Sequence, residues 1–216
     1  MRRSMPLLII LGILLLLLFW GCGQYNGLVG QDENVKKVWN NVQSQYQRRA
    51  DLIPNLVRTV QGEANFERGT LEAVINARAK ATSMQINPEN LTPENIERFQ
   101  QAQSQLSGSL SRLLVSVEQY PNLRANEAFR NLQTQLEGTE NRITVARNDF
   151  NEAVQSYNLS VRRFPVALFA GAMGFHPRQG FQADPGSQNA PRVDFDNGAT
   201  SNNPPAPRVQ VDTVTR

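Results

Sequence analysis

Cysteine and histidine are almost missing from this chain. Cys22 and His176 each stand alone in 216 residues. One thiol excludes an internal disulfide and any cysteine-based zinc cluster, and one imidazole excludes ligand sets built on histidine spacing. His176 also has no Ser, Cys or Asp at a spacing that would make a nucleophile–base pair. Aromatics are sparse, at 7% of the residues, which suits a solvated helical bundle better than a deep globular core. The net charge of +3 is spread along the chain rather than gathered in a basic block, so it gives no reason to expect nucleic acid. These absences predict a chain that is not an enzyme and that holds no cofactor and no metal. Glu63, Glu67 and Glu72 are the nearest approach to a carboxylate site, and without a Glu-x-x-His pattern they read as a solvated acidic face.

Long apolar runs are equally scarce, with one exception. Pro6–Trp20 is uncharged and rich in Leu and Ile, and follows the basic start Met1-Arg2-Arg3-Ser4. Three readings compete over 1–23. A single-pass transmembrane anchor needs roughly 17–25 residues, and the run reaches that length by borrowing Gly21, Cys22 and Gly23. A lipoprotein signal would be cut before Cys22 and leave that cysteine lipidated. A cleaved secretory signal lacks its small-residue site. All three take the chain to a membrane. Arg2 and Arg3 precede the run and nothing basic follows before Lys36, so the positive-inside bias puts Met1 in the cytoplasm and the helical body outside it.

The remainder carries three seams of apolar residues stepping by threes and fours, the mark of helices that need partner helices. The first runs over about 31–81: Val35, Trp39, Val42, Tyr46, Ala50, Ile53, Val57, Val60, Ala64, Leu71, Val74, Arg78 and Ala81. Pro54 lies inside it, which predicts a kink or break near Asp51. A loop over 83–91 contains the turn signal Asn87-Pro88. Thr92-Pro93-Glu94 then announces a helix: a capping hydroxyl, proline at the first helical position, and an acid against the dipole. The second seam follows as Ile96, Phe99, Gln103, Leu106, Leu110, Leu113 and Val117, and ends at Pro121. The third runs from Asn122, as its cap, to Arg163 through Phe129, Leu132, Leu136, Thr139, Ile143, Ala146, Phe150, Ala153, Tyr157 and Val161. Its short link to the second predicts an antiparallel hairpin.

The expected fold is therefore all-α: an elongated antiparallel bundle over 24–181 of three long helices, the first kinked at Pro54. A short apolar C-terminal helix over 165–175 would fold back over a bundle end or dip into the membrane surface. From 182 to 216 Pro, Asn, Ser, Asp and Gly dominate, and a disordered polar tail is expected.

Four separated segments carry a resemblance. They are Tyr25-Asn26-Gly27-Leu28-Val29; Gln47-Arg48-Arg49-Ala50-Asp51-Leu52-Ile53-Pro54-Asn55-Leu56-Val57; Tyr120-Pro121-Asn122-Leu123; and Glu140-Asn141-Arg142 with Val145-Ala146-Arg147, Phe150-Asn151 and Tyr157-Asn158. Over roughly 21–181 the chain resembles the LemA family of bacterial membrane-anchored helical proteins, departing at Phe150, where the family more often has tyrosine. The resemblance implies an antiparallel helical bundle behind one membrane segment, and no established enzymatic activity. It also implies the bacterial envelope, where similar proteins occur alongside membrane proteases.

Two polar groups are the candidate sites. Arg48, Arg49, Asp51 and Asn55 surround Pro54. They would recognise a partner, or else Asp51 and Asn55 would satisfy backbone groups freed at the proline while the arginines pair with acids such as Glu140. Glu140, Asn141, Arg147, Asn151 and Asn158 form a row beside the third seam, which would set helix register or line a buried binding site. The functional expectation is a membrane-anchored, non-catalytic scaffold or adaptor for an envelope protein partner. The alternative is a self-assembling, membrane-remodelling or stress-sensing element that forms homo-oligomers.

Overall fold

The computed structural model describes residues 5–63 and 66–182, without the side chains of 5–10, 13, 14, 17, 18 and 20. The tail expected over 182–216 lies, from 183 on, outside the described residues, as does Ala64 of the first seam. Every regular element among the described residues is helical: α1 (Met5–Gln61), α2 (Arg68–Ser83), α3 (Pro93–Val117), the single turn α4 (Pro121–Ala125) and α5 (Glu127–Arg162). Two 3-10 turns, Pro88–Asn90 and Val166–Leu168, complete the set. Among the described residues no helix is long and apolar enough to cross a membrane. The stretch expected to anchor the chain, 1–23, falls largely on positions whose side chains lie outside the description.

The three seams are buried as their spacing requires, but the helices that carry them differ from expectation at three places. The first seam belongs to two helices. Helix α1 is continuous through Pro54 and ends at Gln61, ahead of Gly62, and α2 turns back beside it. The proline does remove a backbone donor, and the carbonyl four residues earlier, that of Ala50, accepts instead from Arg78 Nε of α2 at 2.8 Å. A partner helix thus meets the demand that predicted a kink. Second, Asn126 rather than Asn122 caps the last long helix, its side-chain oxygen accepting from the amides of Ala128 (2.9 Å) and Phe129 (3.3 Å). Residues 121–125 form α4 in the connection instead. Third, the apolar segment after α5 forms one 3-10 turn and no α-helix, since Gly171 and Gly174 favour turns over a second helical turn. It does fold back: Val166 and Ala170 are buried, and Phe175 meets Tyr25 of α1 edge-on at 5.6 Å. The Thr92 cap stands as read, accepting from Asn95 N at 3.3 Å.

Helices α1, α2, α3 and α5 alternate in direction. Arg49 of α1 meets Ser107 of α3 and Glu140 of α5, while Trp39 meets Phe99 and Phe150. Positions rise together along α1 and α3 and fall along α5. Lys80 reaches Gln105 and Ala81 accepts from Gln103, so α2 runs against both α1 and α3. The core divides into two apolar clusters. A proximal one, nearer the N-terminal stretch, gathers Leu28–Tyr46 of α1, Ile96 and Phe99 of α3 and Ile143–Val161 of α5. A distal one gathers Ile53–Val60, Leu71–Ala81, Leu106–Val117 and Leu136.

Candidate functional site

Between the two clusters lies a polar layer built on Arg49, which is 2% exposed. Its Nη1 donates to Ser107 Oγ and to Glu140 Oε2, each at 2.8 Å. Its Nη2 donates to the Gln103 side-chain oxygen at 2.8 Å and to the Gln103 carbonyl at 3.3 Å. The guanidinium also lies 5.1 Å from the Tyr46 ring centre. Gln103, itself buried, passes its amide on to the Ala81 carbonyl at 3.4 Å. One side chain therefore joins α1 to α3 and α5 directly and to α2 through Gln103. A buried guanidinium is tolerable only when charge-matched and hydrogen-bonded. Here the matching carboxylate is half out in water, Glu140 being 53% exposed, which spares the pair part of its desolvation. The arrangement holds register: slipping α1 by one turn, about 5.4 Å, would drive the charge into an apolar cluster. The Arg49–Glu140 pair is the contact named in the second of the two readings of the residues around Pro54. Glu140 does not act with the rest of its row.

Three others in that row act together on the chain's own C-terminal segment. Past Gly174, whose φ is +86°, residues 176–182 run back along α5 as a strap without regular structure. Asn158 accepts from the Arg178 amide and donates to its carbonyl, both at 2.8 Å. Asn151 does the same for Phe181, at 2.8 and 3.3 Å. The two asparagines are two helical turns apart, about 10 Å, and extended chain covers that distance in three residues, which is the step from 178 to 181. Arg147 donates to the Gln182 carbonyl at 3.4 Å and stacks over the Phe181 ring at 4.8 Å. Phe181 is buried against Trp39 and Phe150. A Cβ at position 180 would stand 2.5 Å from Asn151 Oδ1, so the strap approaches this closely only because Gly180 has no side chain. These three residues of the row thus read peptide backbone.

Beside the strap lies a tight charge cluster. Asp32 pairs with Arg178 at 2.7 Å and with Lys36 at 3.1 Å, and Lys36 also meets Glu33 (2.9 Å) and Glu89 (2.8 Å). These contacts hold the Lys36 pKa above its ordinary value, Glu33 and Glu89 contributing most. Burial, followed by the Asp32 charge, raises that of Tyr157.

The remaining predicted residues stay apart from both groups. Asp51 accepts from Gln47 at 2.7 Å and Asn55 from Arg58, so neither satisfies the backbone at Pro54. Arg48 is exposed on α1 and Asn141 on α5; the latter lines a shallow groove with Asn41 and Gln45. Cys22 is exposed on α1. Among the described residues no group of His, Cys, Asp and Glu could hold a metal. Sequence reasoning missed Arg78, Gln103, Arg178 and Phe181. Gln103 was legible as the polar member of an apolar seam, and Arg78 as a charge on one; nothing in 176–182 announces a strap.

The LemA family profile matches residues 38–195, about three-quarters of the chain and beyond the last described residue. Similar proteins include the magnetosome protein MamQ 2 of Paramagnetospirillum magneticum, 25% identical over 179 residues, covering 75% of this chain and 66% of that protein. The magnetosome protein MamQ of Magnetospirillum gryphiswaldense is 24% identical over 181 residues with the same coverage. The chain thus spans just under two thirds of the MamQ proteins it matches. The protein LemA of Metamycoplasma hominis is 22% identical over 180 residues, covering 83% of this chain and 77% of that one. With four long helices of alternating direction and a family profile spanning most of its length, the chain belongs to the LemA family.

Proposed function

We propose that this protein is a membrane-tethered, non-catalytic scaffold that holds a helical bundle at the surface of the bacterial inner membrane for an envelope protein partner. One observation carries the reading. Helix α1 is a single helix from Met5 to Gln61. Leu15, Leu16 and Phe19 on its early part are exposed, while from Leu28 onward it supplies the bundle core. Uncovered apolar side chains on one stretch of such a helix call for lipid, and the continuous backbone makes the tether and the core one rigid piece. The apolar run over 6–20 is then a single-pass anchor with the bundle outside the cytoplasm. An anchor through lipidated Cys22 is the rival form, and the mass of the membrane-extracted chain separates the two.

The test has two arms. Alkaline carbonate leaves the full chain in the membrane pellet, and protease added to spheroplasts digests the bundle. Release into the supernatant, or protection of the bundle in spheroplasts, overturns the assignment. Photo-cross-linkers at Val115 and Val145, both exposed, capture one defined envelope protein, a membrane protease being the first to examine. Turnover of a substrate by the purified chain would refute the non-catalytic role. The self-assembling alternative predicts concentration-dependent oligomers of the detergent-extracted chain, and a monomer at every concentration removes it.

A further inference from the structure

The most exposed large apolar side chains of the bundle itself lie together at one end. Phe164 is 83% and Leu168 77% exposed, on the loop that follows α5, and Met173 of the same segment is 38% exposed. Folding has left them out while burying their neighbours Val166 and Ala170. Arg162 and Arg163, both exposed, precede them directly. The loop sits at a definite level on α1: Arg163, Phe164 and Pro165 share a cleft with Gln24, Gly27 and Leu28. Gly27 is one helical turn, about 6 Å, beyond Gly23, where the apolar stretch of α1 ends. Tyr25, at the same level and 43% exposed, is the amphipathic type found where hydrocarbon meets headgroups.

We propose that the loop 163–173 is an interfacial docking surface, with Phe164 and Leu168 seated among the acyl chains and Arg162 and Arg163 paired with anionic phospholipid headgroups of the bilayer that anchors the chain. The occupant follows from charge and level together. Two guanidinium groups beside two apolar side chains match the layered chemistry of an anionic bilayer surface, and the loop stands one turn from where α1 would leave the hydrocarbon. Docking gives the bundle two points of attachment and so fixes its orientation about the α1 axis. The inference rests on the anchoring role of α1 proposed above.

The experiment uses the full chain with Cys22→Ser, reconstituted into vesicles of phosphatidylcholine with phosphatidylglycerol. Single cysteines replace Leu16, Leu168 or Val115 in turn and carry an environment-sensitive fluorophore. Spin-labelled lipid is expected to quench the labels at 16 and 168, and iodide to quench the label at 115 several-fold more than the label at 168. In vesicles of phosphatidylcholine alone, or with Arg162→Gln and Arg163→Gln, iodide quenching at 168 rises toward that at 115. Lipid quenching at 16 with full iodide access at 168 overturns the docking while the anchor stands. Iodide access at both 16 and 168 overturns the anchor and the docking together. Lipid contact at 168 that is indifferent to phosphatidylglycerol overturns the role of the arginines. A loop label shielded from iodide but untouched by lipid quencher would mean that protein, such as a second copy, covers it instead.

Discussion

The proximal and distal halves of the bundle solve one packing problem in two ways. The distal half has four helices around it, and its core is mostly aliphatic: Ile53, Leu56, Val60, Val74, Leu106, Leu110 and Leu113. The proximal half has only α1, α5 and the first turns of α3, because α2 ends at Ser83. There the missing side is made from the loop 84–91 and the strap 176–182, and the core is built round a group of aromatic rings. Trp39 alone touches Phe99, Phe150 and Phe181, with ring centres 5.2–5.9 Å apart. Large flat side chains fill volume that a fourth helix would otherwise occupy. The distal half is therefore closed by helix pairing, and the proximal half by irregular chain pinned through its backbone.

The contrast can be broken, or sharpened, at four points. The largest effect is expected from Phe181→Ala, which removes a ring from the aromatic core and costs about 3 kcal/mol. Amide exchange should show the loss in the proximal half alone. An equal loss in the distal half would mean that the halves do not differ in how they are closed. Arg49→Ala comes next, at about 2 kcal/mol, because it strands the buried Gln103 side chain while leaving Glu140 free to hydrate. Chemical denaturation should show this as a lower midpoint with both halves affected. Gly180→Ala follows at about 1 kcal/mol, since the new methyl group dislodges Asn151 from the Phe181 backbone; the amide of Phe181 should lose exchange protection before any other probe moves.

The smallest effect belongs to alkali and is silent at neutral pH. The fold holds the protons of Lys36 and Tyr157 more tightly than the unfolded chain does, so their contribution to stability is complete below the unfolded values of about 10. It is lost as pH climbs through the raised folded values. Ultraviolet titration should show Tyr157 ionising above the usual tyrosine range, and Asp32→Asn should lower the pH at which it does so.

How legible this was in the sequence depended on whether a contact leaves a mark in side-chain spacing. The seams did, and so did the Thr92 cap and the Arg49–Glu140 pair. The turn at Gly62 did not, because a helix that doubles back onto the same core keeps its apolar residues in phase. Val57, Val60, Leu71 and Val74 read as one stripe although they lie on two helices. Asn122 and Asn126 are equally plausible caps by type, and only the extra turn α4 decides between them. The strap was hidden most deeply. Its grip is on backbone amides and carbonyls, which every residue except proline offers in full, so only Phe181 and Gly180 carry any trace of it. Asn151 and Asn158 were picked out correctly as polar residues flanking a seam, but what they hold could not be read from their own positions.

Arg78 mends a missing rung. At Pro54 the hydrogen-bond ladder of α1 has a gap, and a side chain from the neighbouring helix bridges it. The stiffness of the long shaft is thereby lent to it from outside, like a splint across a joint. Lift α2 away and the same shaft acquires an elbow at mid-bundle, so that the straightness of α1 reports whether α2 is seated.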